Sequence, residues 1–399
     1  MNAVAVTGLG VVTAHGDSPD AVFAALMRGE SGLQSIFPDL PRPTAAALVA
    51  FDPLRWFTKL QLAGVDRVSQ LAVAAAELAM TDAGALDDVE PERLGVYVGC
   101  GMGGAASLEA AYRGTRMPPL TVPAFMPNAA AAHVAMRLHA RGPVLTYSVA
   151  CASSAVAIAE AAKAVQAGDV DLAIAGGSEA LIVPGVVLAW QAMQTLASFE
   201  PGEAARSVRP FAVDRSGFAL GEGAAFLVLE SAQRARRRGA RAHATLDGWG
   251  IGCDATHLTK PDAHGQARAL RAALQRADMQ PREVGYCNAH GTATRIGDVV
   301  ERDALAEVWG ADLDRLRVSS TKALHGHLLG AAGALEAVVT VLALRHRQLP
   351  PNAHCSAIDP ACRLNLVPQA GATAPQLDVA ISSSFAFGGT NAVLLFSRA

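Results

Sequence analysis

Lysine is scarce in this chain. Among 399 residues only Lys59, Lys163, Lys260 and Lys322 occur, so a lysine inside a motif is informative. Aromatic residues make up 5% and charged residues 17%, too few charges for a disordered chain. Basic charge is not in excess: the formal net charge of −3 argues against general binding to nucleic acid. The six cysteines, at 100, 151, 253, 287, 355 and 362, never fall at CxxC spacing. They signal neither a zinc site nor a disulfide framework, and a reduced, cytoplasmic protein is expected. The N-terminal run from Met1 has no basic region and reads as a first strand, not a signal peptide. The uncharged stretch Ala180 to Phe199 is long enough to suggest a membrane span. Pro184, Gln191, Gln194, Thr195 and Ser198 interrupt it, so a buried segment near an active site is expected, without membrane insertion.

Hydrophobic residues make up 51% of the chain, enough for a large core. Strand and helix patterns alternate between Gly- or Pro-marked turns, which predicts an α/β protein. Val4 to Thr7, Leu94 to Gly99, Pro143 to Val149, Asp171 to Ala175 and Ala224 to Leu229 read as strands. Ser69 to Ala83, Ala152 to Gln166, Ala267 to Ala277 and Gly330 to Arg345 read as helices. The basic run Arg234 to Arg238 before Gly239 reads as a solvated helix terminus. It is also the best place to divide the chain, into 1–235 and 236–399. Gly8-Leu9-Gly10 follows a strand, but the third glycine of a dinucleotide-binding turn would fall at Thr13, so that reading is rejected.

Cys151 carries the most information. It lies between a β-branched run and an alanine-rich helical run. A cysteine at such a helix N-terminus meets free N–H groups and the positive end of the dipole, which favour the thiolate. The plain alternative is a small buried core residue. Three further motifs change the balance. In Asn288-Ala289-His290-Gly291-Thr292-Ala293-Thr294, a histidine and two threonines share a turn able to orient a ligand. In Ser319 to Gly333, Lys322, His325 and His327 precede a run of small residues that permits a tightly packed helix. His325 and His327 lack a matching acidic pattern, so no metal site is expected. In Ser383 to Asn391, two glycines after an aromatic make a loop able to gate a pocket.

With these motifs in this order, the chain resembles the elongating, Cys-His-His type of β-ketoacyl-acyl-carrier-protein synthases of the thiolase superfamily. The resemblance runs from VAVTGLGVVT to SSSFAFGGTNAVLLF and includes VACASS, AGGSEA, RPFAVDRSGFALGEGA, NAHGTAT and STKALHGHLLGAAGALEAV. It implies a thiolase-like αβαβα fold: two related halves, each with a mixed five-stranded sheet, around two central helices. It implies decarboxylative condensation of an acyl thioester on Cys151 with malonyl-carrier protein, in fatty-acid or type II polyketide or aryl-polyene synthesis. His290 and His327 are expected to stabilise the enolate as neutral donors. The N–H groups of Cys151 and Phe387 are expected to form the oxyanion hole, within a gate of Phe385, Ala386, Phe387 and Gly388. Thr292 and Thr294 are expected to hold phosphopantetheine, which arrives on the carrier protein, so no cofactor of the chain's own is implied. Lys322 is expected to order the site through a carboxylate, with Glu301 as its match.

The chain departs from the family pattern in places. Ala386 stands where glycine is common, which predicts restricted positive φ and altered gating. His325 replaces a small polar residue. Trp190 and Met102 fall where relatives line the acyl pocket, and the indole predicts a shorter pocket or a flat, unsaturated chain. Arg55, Lys59, Arg67, Arg206 and Arg209 are the docking candidates for an acidic carrier protein, followed by Arg113 and Arg116. The resemblance also implies a homodimer or a heterodimer with a related subunit, into which Pro118 to His133 reaches. Two rivals remain: a non-catalytic chain-length-factor subunit, and a non-decarboxylating acyltransferase. The present Cys151 argues against the first and the paired histidines against the second.

Overall fold

The apolar runs of the first half become five strands in the computed structural model, which describes residues 3–84, 89–115 and 117–399. They are β1 (Val4–Val12), β2 (Leu94–Gly99), β3 (Val144–Tyr147), β4 (Leu172–Glu179) and β5 (Gly223–Ser231). Their lateral order is β1-β5-β4-β2-β3, with β5 antiparallel to both neighbours and β2 parallel to both of its own. The second half supplies β6 (Ala244–Cys253), β7 (Tyr286–Asn288), β8 (Arg317–Ser319), β9 (Val379–Phe385) and β10 (Thr390–Arg398). Their order, β6-β10-β9-β7-β8, repeats the first with the same directions. The two five-stranded halves are therefore one topology used twice. They are not separate sheets: Val4–Val6 of β1 pairs with Ala244–Leu246 of β6 and joins them.

The main helices are α1 (Arg67–Ala83), α2 (Ala129–Leu138), α3 (Ser153–Ala167), α4 (Pro184–Ala192), α5 (Ala263–Ala277), α6 (Gly297–Trp309) and α7 (Ala332–His346). Helix α1 packs on β1, β5 and β4 with α2 against it, and α5 packs on β6 and β10 with α6 against it. Between the half-sheets lie α3 and α7, which complete the αβαβα layering. Every α7 residue from Ala332 to Leu344 is buried, and α3 is alanine-rich and mostly buried. The segment Leu329–His346 is apolar and long enough to span a membrane, but 89% of it is buried in this central layer. The suspected Ala180 to Phe199 stretch instead contains the nine-residue α4, far too short to span. That stretch is not wholly buried as expected, since Leu188 and Met193 are exposed.

The glycines of β1 serve this packing. A Cβ on Gly8 would lie 2.2 Å from the Ala79 carbonyl oxygen, and one on Gly10 2.0 Å from that of Ala75. They let α1 lie directly on the strand. The basic run also differs from expectation. Arg236 and Arg237 are solvated, but Arg234 and Arg238 turn inward onto the fully buried Glu230 carboxylate, which also accepts from Thr7. A buried carboxylate needs such partners, so the run is partly a core device.

Candidate active site

Cys151 lies in a single 3₁₀ turn, Ala150–Ala152, between β3 and α3. Ala150 adopts φ 49°, a left-handed conformation uncommon for a side-chain-bearing residue. Ser153 fastens this corner: its hydroxyl donates to the Ala150 carbonyl at 2.6 Å and accepts from Val149 N–H at 2.9 Å. Local strain is thus held by a side chain next to the sulfur. The Cys151 thiol is buried, and burial pushes its pKa up to about 12 against the pull of the Lys322 ammonium and the Phe387 N–H. Loss of water thus works against the thiolate that the helix terminus was expected to favour.

His290 and His327 flank the sulfur. His327 Nε2 lies 3.0 Å from Cys151 Sγ, and the two imidazoles meet edge to face at 5.5 Å. Burial, aided by the Lys322 charge, holds both far below the ordinary histidine pKa, so both are neutral at pH 7. The Leu329 N–H donates to His327 Nδ1 at 3.3 Å. A neutral imidazole that accepts at Nδ1 carries its proton at Nε2. His327 therefore aims an N–H donor at the reacting centre. Coordinating atoms of Cys151, His290 and His327 lie within 4.8 Å of one another, a set zinc would accept by distance. The protonated Nε2 argues against that use.

Lys322 pairs with a carboxylate, but not the expected one. Its Nζ bonds to Glu336 in the first turns of α7, with both side chains fully buried. Glu301 is occupied elsewhere: its oxygens accept from the His290 and Gly291 N–H groups, each at 2.7 Å. Glu301 thus fixes the backbone of His290, while burial pushes its own pKa up to about 7. The sequence did hold a signal for Glu336, as an acid within an otherwise apolar helix.

The gate residues converge on the same place. Phe385 ends β9, and the Phe387 N–H hydrogen-bonds toward Cys151 Sγ. Ala386 has φ −107°, an ordinary extended value, and positive φ falls on Gly388 and Gly389. Alanine at 386 therefore imposes no strain in this conformation, and the restriction on positive φ bears only on a gate movement that would need it. Trp190 stacks on Phe387 at 6.2 Å and meets Phe218 edge-on at 5.5 Å; Phe218 in turn meets His327 at 5.3 Å. Phe218 was missed in the sequence. Cys151, both histidines, Trp190, Thr292 and Thr294 line one cavity of about 730 Å³. The threonine hydroxyls lie 3.1 Å apart.

Other expectations fare differently. Met102 lines no part of this cavity; its side chain is 48% exposed and its N–H is tied to Glu179. Arg67 is clamped on Glu222, Arg55 is paired with Asp17, Arg209 with Asp214, and Arg113 with Glu109. These arginines already have carboxylates of their own, which weakens them as docking charges. Lys59 and Arg206 are exposed and have no ion pair among the described residues; Arg116 lies outside those residues. Two unanticipated cations, Lys260 and Arg295, are exposed at the cavity itself. Buried Arg215 was also overlooked. It donates to the carbonyls of Thr294 and Arg295 and to Asp359, and so fixes the threonine loop.

Comparison with known proteins agrees with this geometry. The family description "Beta-ketoacyl synthase, N-terminal domain" matches residues 1–235, and "Beta-ketoacyl synthase, C-terminal domain" matches residues 243–356. A 3-oxoacyl-[acyl-carrier-protein] synthase 2 of Staphylococcus aureus (strain N315) is 36% identical over 410 aligned positions, covering 99% of this chain and 98% of the relative. The solved ishigamide ketosynthase/chain length factor superposes with a TM-score of 0.92 at 32% identity, covering 100% and 99% of the two chains. A type II polyketide ketosynthase solved with its acyl-carrier protein and bound to the hexaketide, AntDE:AntF, gives a TM-score of 0.90 at 28% identity, covering both chains fully.

Proposed function

The chain belongs to the β-ketoacyl synthase family, and from that premise we propose how its residues divide the work of an elongating β-ketoacyl-acyl-carrier-protein synthase. The reaction belongs to fatty-acid or polyketide synthesis. Cys151 attacks the acyl thioester, the carrier's pantetheine thiol leaves, and the acyl group remains on sulfur. The Phe387 and Cys151 N–H groups hold the oxyanion that forms during this transfer. Malonyl-carrier protein then enters past Thr292 and Thr294. Its carboxylate leaves as CO₂, and the electron pair stays on the carbon next to the thioester as an enolate. His290 and His327 donate hydrogen bonds to the enolate oxygen. The enolate carbon attacks the Cys151 thioester, forming a carbon–carbon bond and breaking the bond from the acyl carbon to sulfur; the Cys151 thiolate so released takes one proton from solvent. The product is a 3-oxoacyl-carrier protein two carbons longer.

One observation carries this division: the Leu329 N–H donates to His327 Nδ1, which leaves the proton of the neutral ring to Nε2, 3.0 Å from Cys151 Sγ. A donor fixed in that tautomer suits an oxyanion and cannot act as a base at the same nitrogen. For partners, the reading is an acyl-carrier protein and a second synthase-type subunit, and no cofactor beyond the carrier's phosphopantetheine is needed. The carrier would meet Lys260 and Arg295 at the cavity, with Lys59 and Arg206 as further free charges. The deciding experiment incubates the enzyme with a short acyl-carrier protein and malonyl-carrier protein and records intact masses. An acyl adduct absent from Cys151→Ala, with a carrier-bound product two carbons longer, is expected. An adduct without elongation would point to a non-decarboxylating acyltransferase, a wrong acyl substrate or a missing partner subunit, and would overturn the roles given to the histidines if it persisted with other acyl lengths and with a related synthase-type subunit added.

A further inference from the structure

His325 is a buried histidine that the reaction does not use. Its ring is 1% exposed, with Nδ1 2.7 Å from the Gly326 carbonyl oxygen and Nε2 2.9 Å from the Thr321 hydroxyl. A carbonyl only accepts, so Nδ1 carries the proton. Burial lowers the His325 pKa to about 3, so the ring is neutral and Nε2 accepts from Thr321. The ring thus ties together the two residues that bracket the short helix Lys322–His325. Four residues cannot hold a helix by their own backbone bonds. Yet this turn sets Lys322 at one end and His327 just beyond the other.

The Gly326–His327 peptide shows what the tie achieves. Gly326 has φ 71° and ψ −179°, a conformation outside any helix, and a Cβ there would lie 2.7 Å from the Leu220 carbonyl oxygen. No helical ladder holds this peptide group. Its oxygen is held by His325 Nδ1, and its N–H donates to the Ala219 carbonyl at 2.7 Å. The His327 carbonyl accepts from Gly221 N–H at 2.9 Å. Of these contacts, only the one to the Gly326 oxygen comes from a side chain.

We propose that His325 is a positioning residue: by holding the Gly326 carbonyl it sets the direction of the His327 imidazole during condensation. This rests on the donor role assigned to His327. Two substitutions separate the two ring contacts. His325→Asn places an amide N–H near the position of Nδ1 and keeps the bond to Gly326. His325→Gln reaches Thr321 and gives up the Gly326 bond. A misdirected donor costs up to about 100-fold in rate. His325→Gln should therefore lose about 10- to 100-fold in kcat with KM for malonyl-carrier protein little changed, whereas His325→Asn stays within about threefold of wild type. The rate is taken per folded enzyme, with thermal melts recorded in parallel. Equal kcat for the two variants, or losses that follow Tm alone, would overturn the proposal. Should His325→Gln not fold, Thr321→Val serves instead: it removes only the hydroxyl contact and should keep kcat, and a loss comparable to that of His327→Ala would overturn the proposal. Failure of the underlying reading looks different, because His327→Ala would then elongate as fast as wild type.

Discussion

At the scale of single residues, the catalytic centre is a set of groups whose protonation is imposed by burial. The buried lysine beside it is the clearest case. The Lys322 ammonium depresses both histidines and draws the Cys151 thiol down, while bonding Glu336. Lys322→Ala should leave Glu336 buried without a partner and cost about 3–5 kcal/mol, read as a lowered Tm. A second effect is electrostatic. Removing a cation raises the pKa of a neighbouring imidazole. The histidine pKa values are depressed in the folded chain, so the neutral donors are lost as pH falls through those values. In Lys322→Ala the acidic limb of the kcat profile should move to higher pH. Lys322→Met with Glu336→Leu should restore much of the stability, because it removes both buried charges, but not the acidic limb. A profile unchanged in both variants would mean that Lys322 acts only through packing. The residues themselves were legible in the sequence because each sits in a motif of fixed spacing. The choice of Glu336 over Glu301 was not, since sequence distance does not tell which carboxylate faces inward from α7. Nor was the pKa of Cys151, because a helix terminus is visible in sequence while the depth of its burial is not.

At the scale of elements, four segments distant in sequence are brought to one wall: the turn after β9, α4, the loop residue Phe218, which bridges to Leu196, and the turn holding His327. Their rings form a continuous path from Trp190 through Phe218 to His327, with Phe387 stacked on Trp190. The glycines of the gate were readable as such. The path was not, because ring contacts between distant elements leave no trace in local spacing. Met102 lies off this cavity for a related reason: a position between glycines marks a close backbone turn but not which side of it faces the cavity. Trp190→Ala should enlarge the acyl side of the cavity. Preference between acyl chains should then move toward longer ones by about 0.8 kcal/mol per additional methylene that finds room, roughly fourfold in kcat/KM. Competing acyl-carrier substrates of graded length would show it, and an unchanged length profile would exclude Trp190 from the end of the pocket. Ala386→Gly should leave that profile alone, because φ −107° asks nothing of glycine.

At the scale of the whole molecule, the sheet has two ends of different character. The repeated 1-5-4-2-3 order puts β8 toward one end, extended there by the short strand Asn365–Leu366, and β3 at the other. Among the described residues the β3 edge pairs only with β2, and its Val144 and Leu145 are 38% and 45% exposed. Met117, Leu120, Val122 and Met126 are also exposed in and beside the Pro118 to His133 segment that the sequence had suggested for a partner. An unpaired apolar edge strand is a template for another strand. The fold class was legible from the motif order, yet the fusion of the half-sheets was not, because three paired residues of β1 and β6 carry no pattern of their own. The edge is different: its apolar residues are visible in sequence but read there as core, because burial by the same chain and burial by a second chain use the same side chains. The edge predicts that two subunits join across β3, extending the sheet from one into the other. In Leu145→Lys a charge replaces an apolar contact on that edge, so the particle should fall from the mass of two chains to the 41.1 kDa of one. Light scattering on a gel-filtration column reads this directly. Retention of the two-chain mass in Leu145→Lys would move the interface off β3. A wild-type mass of one chain, rising only when a related synthase-type subunit is added, would make the pair a heterodimer across the same edge.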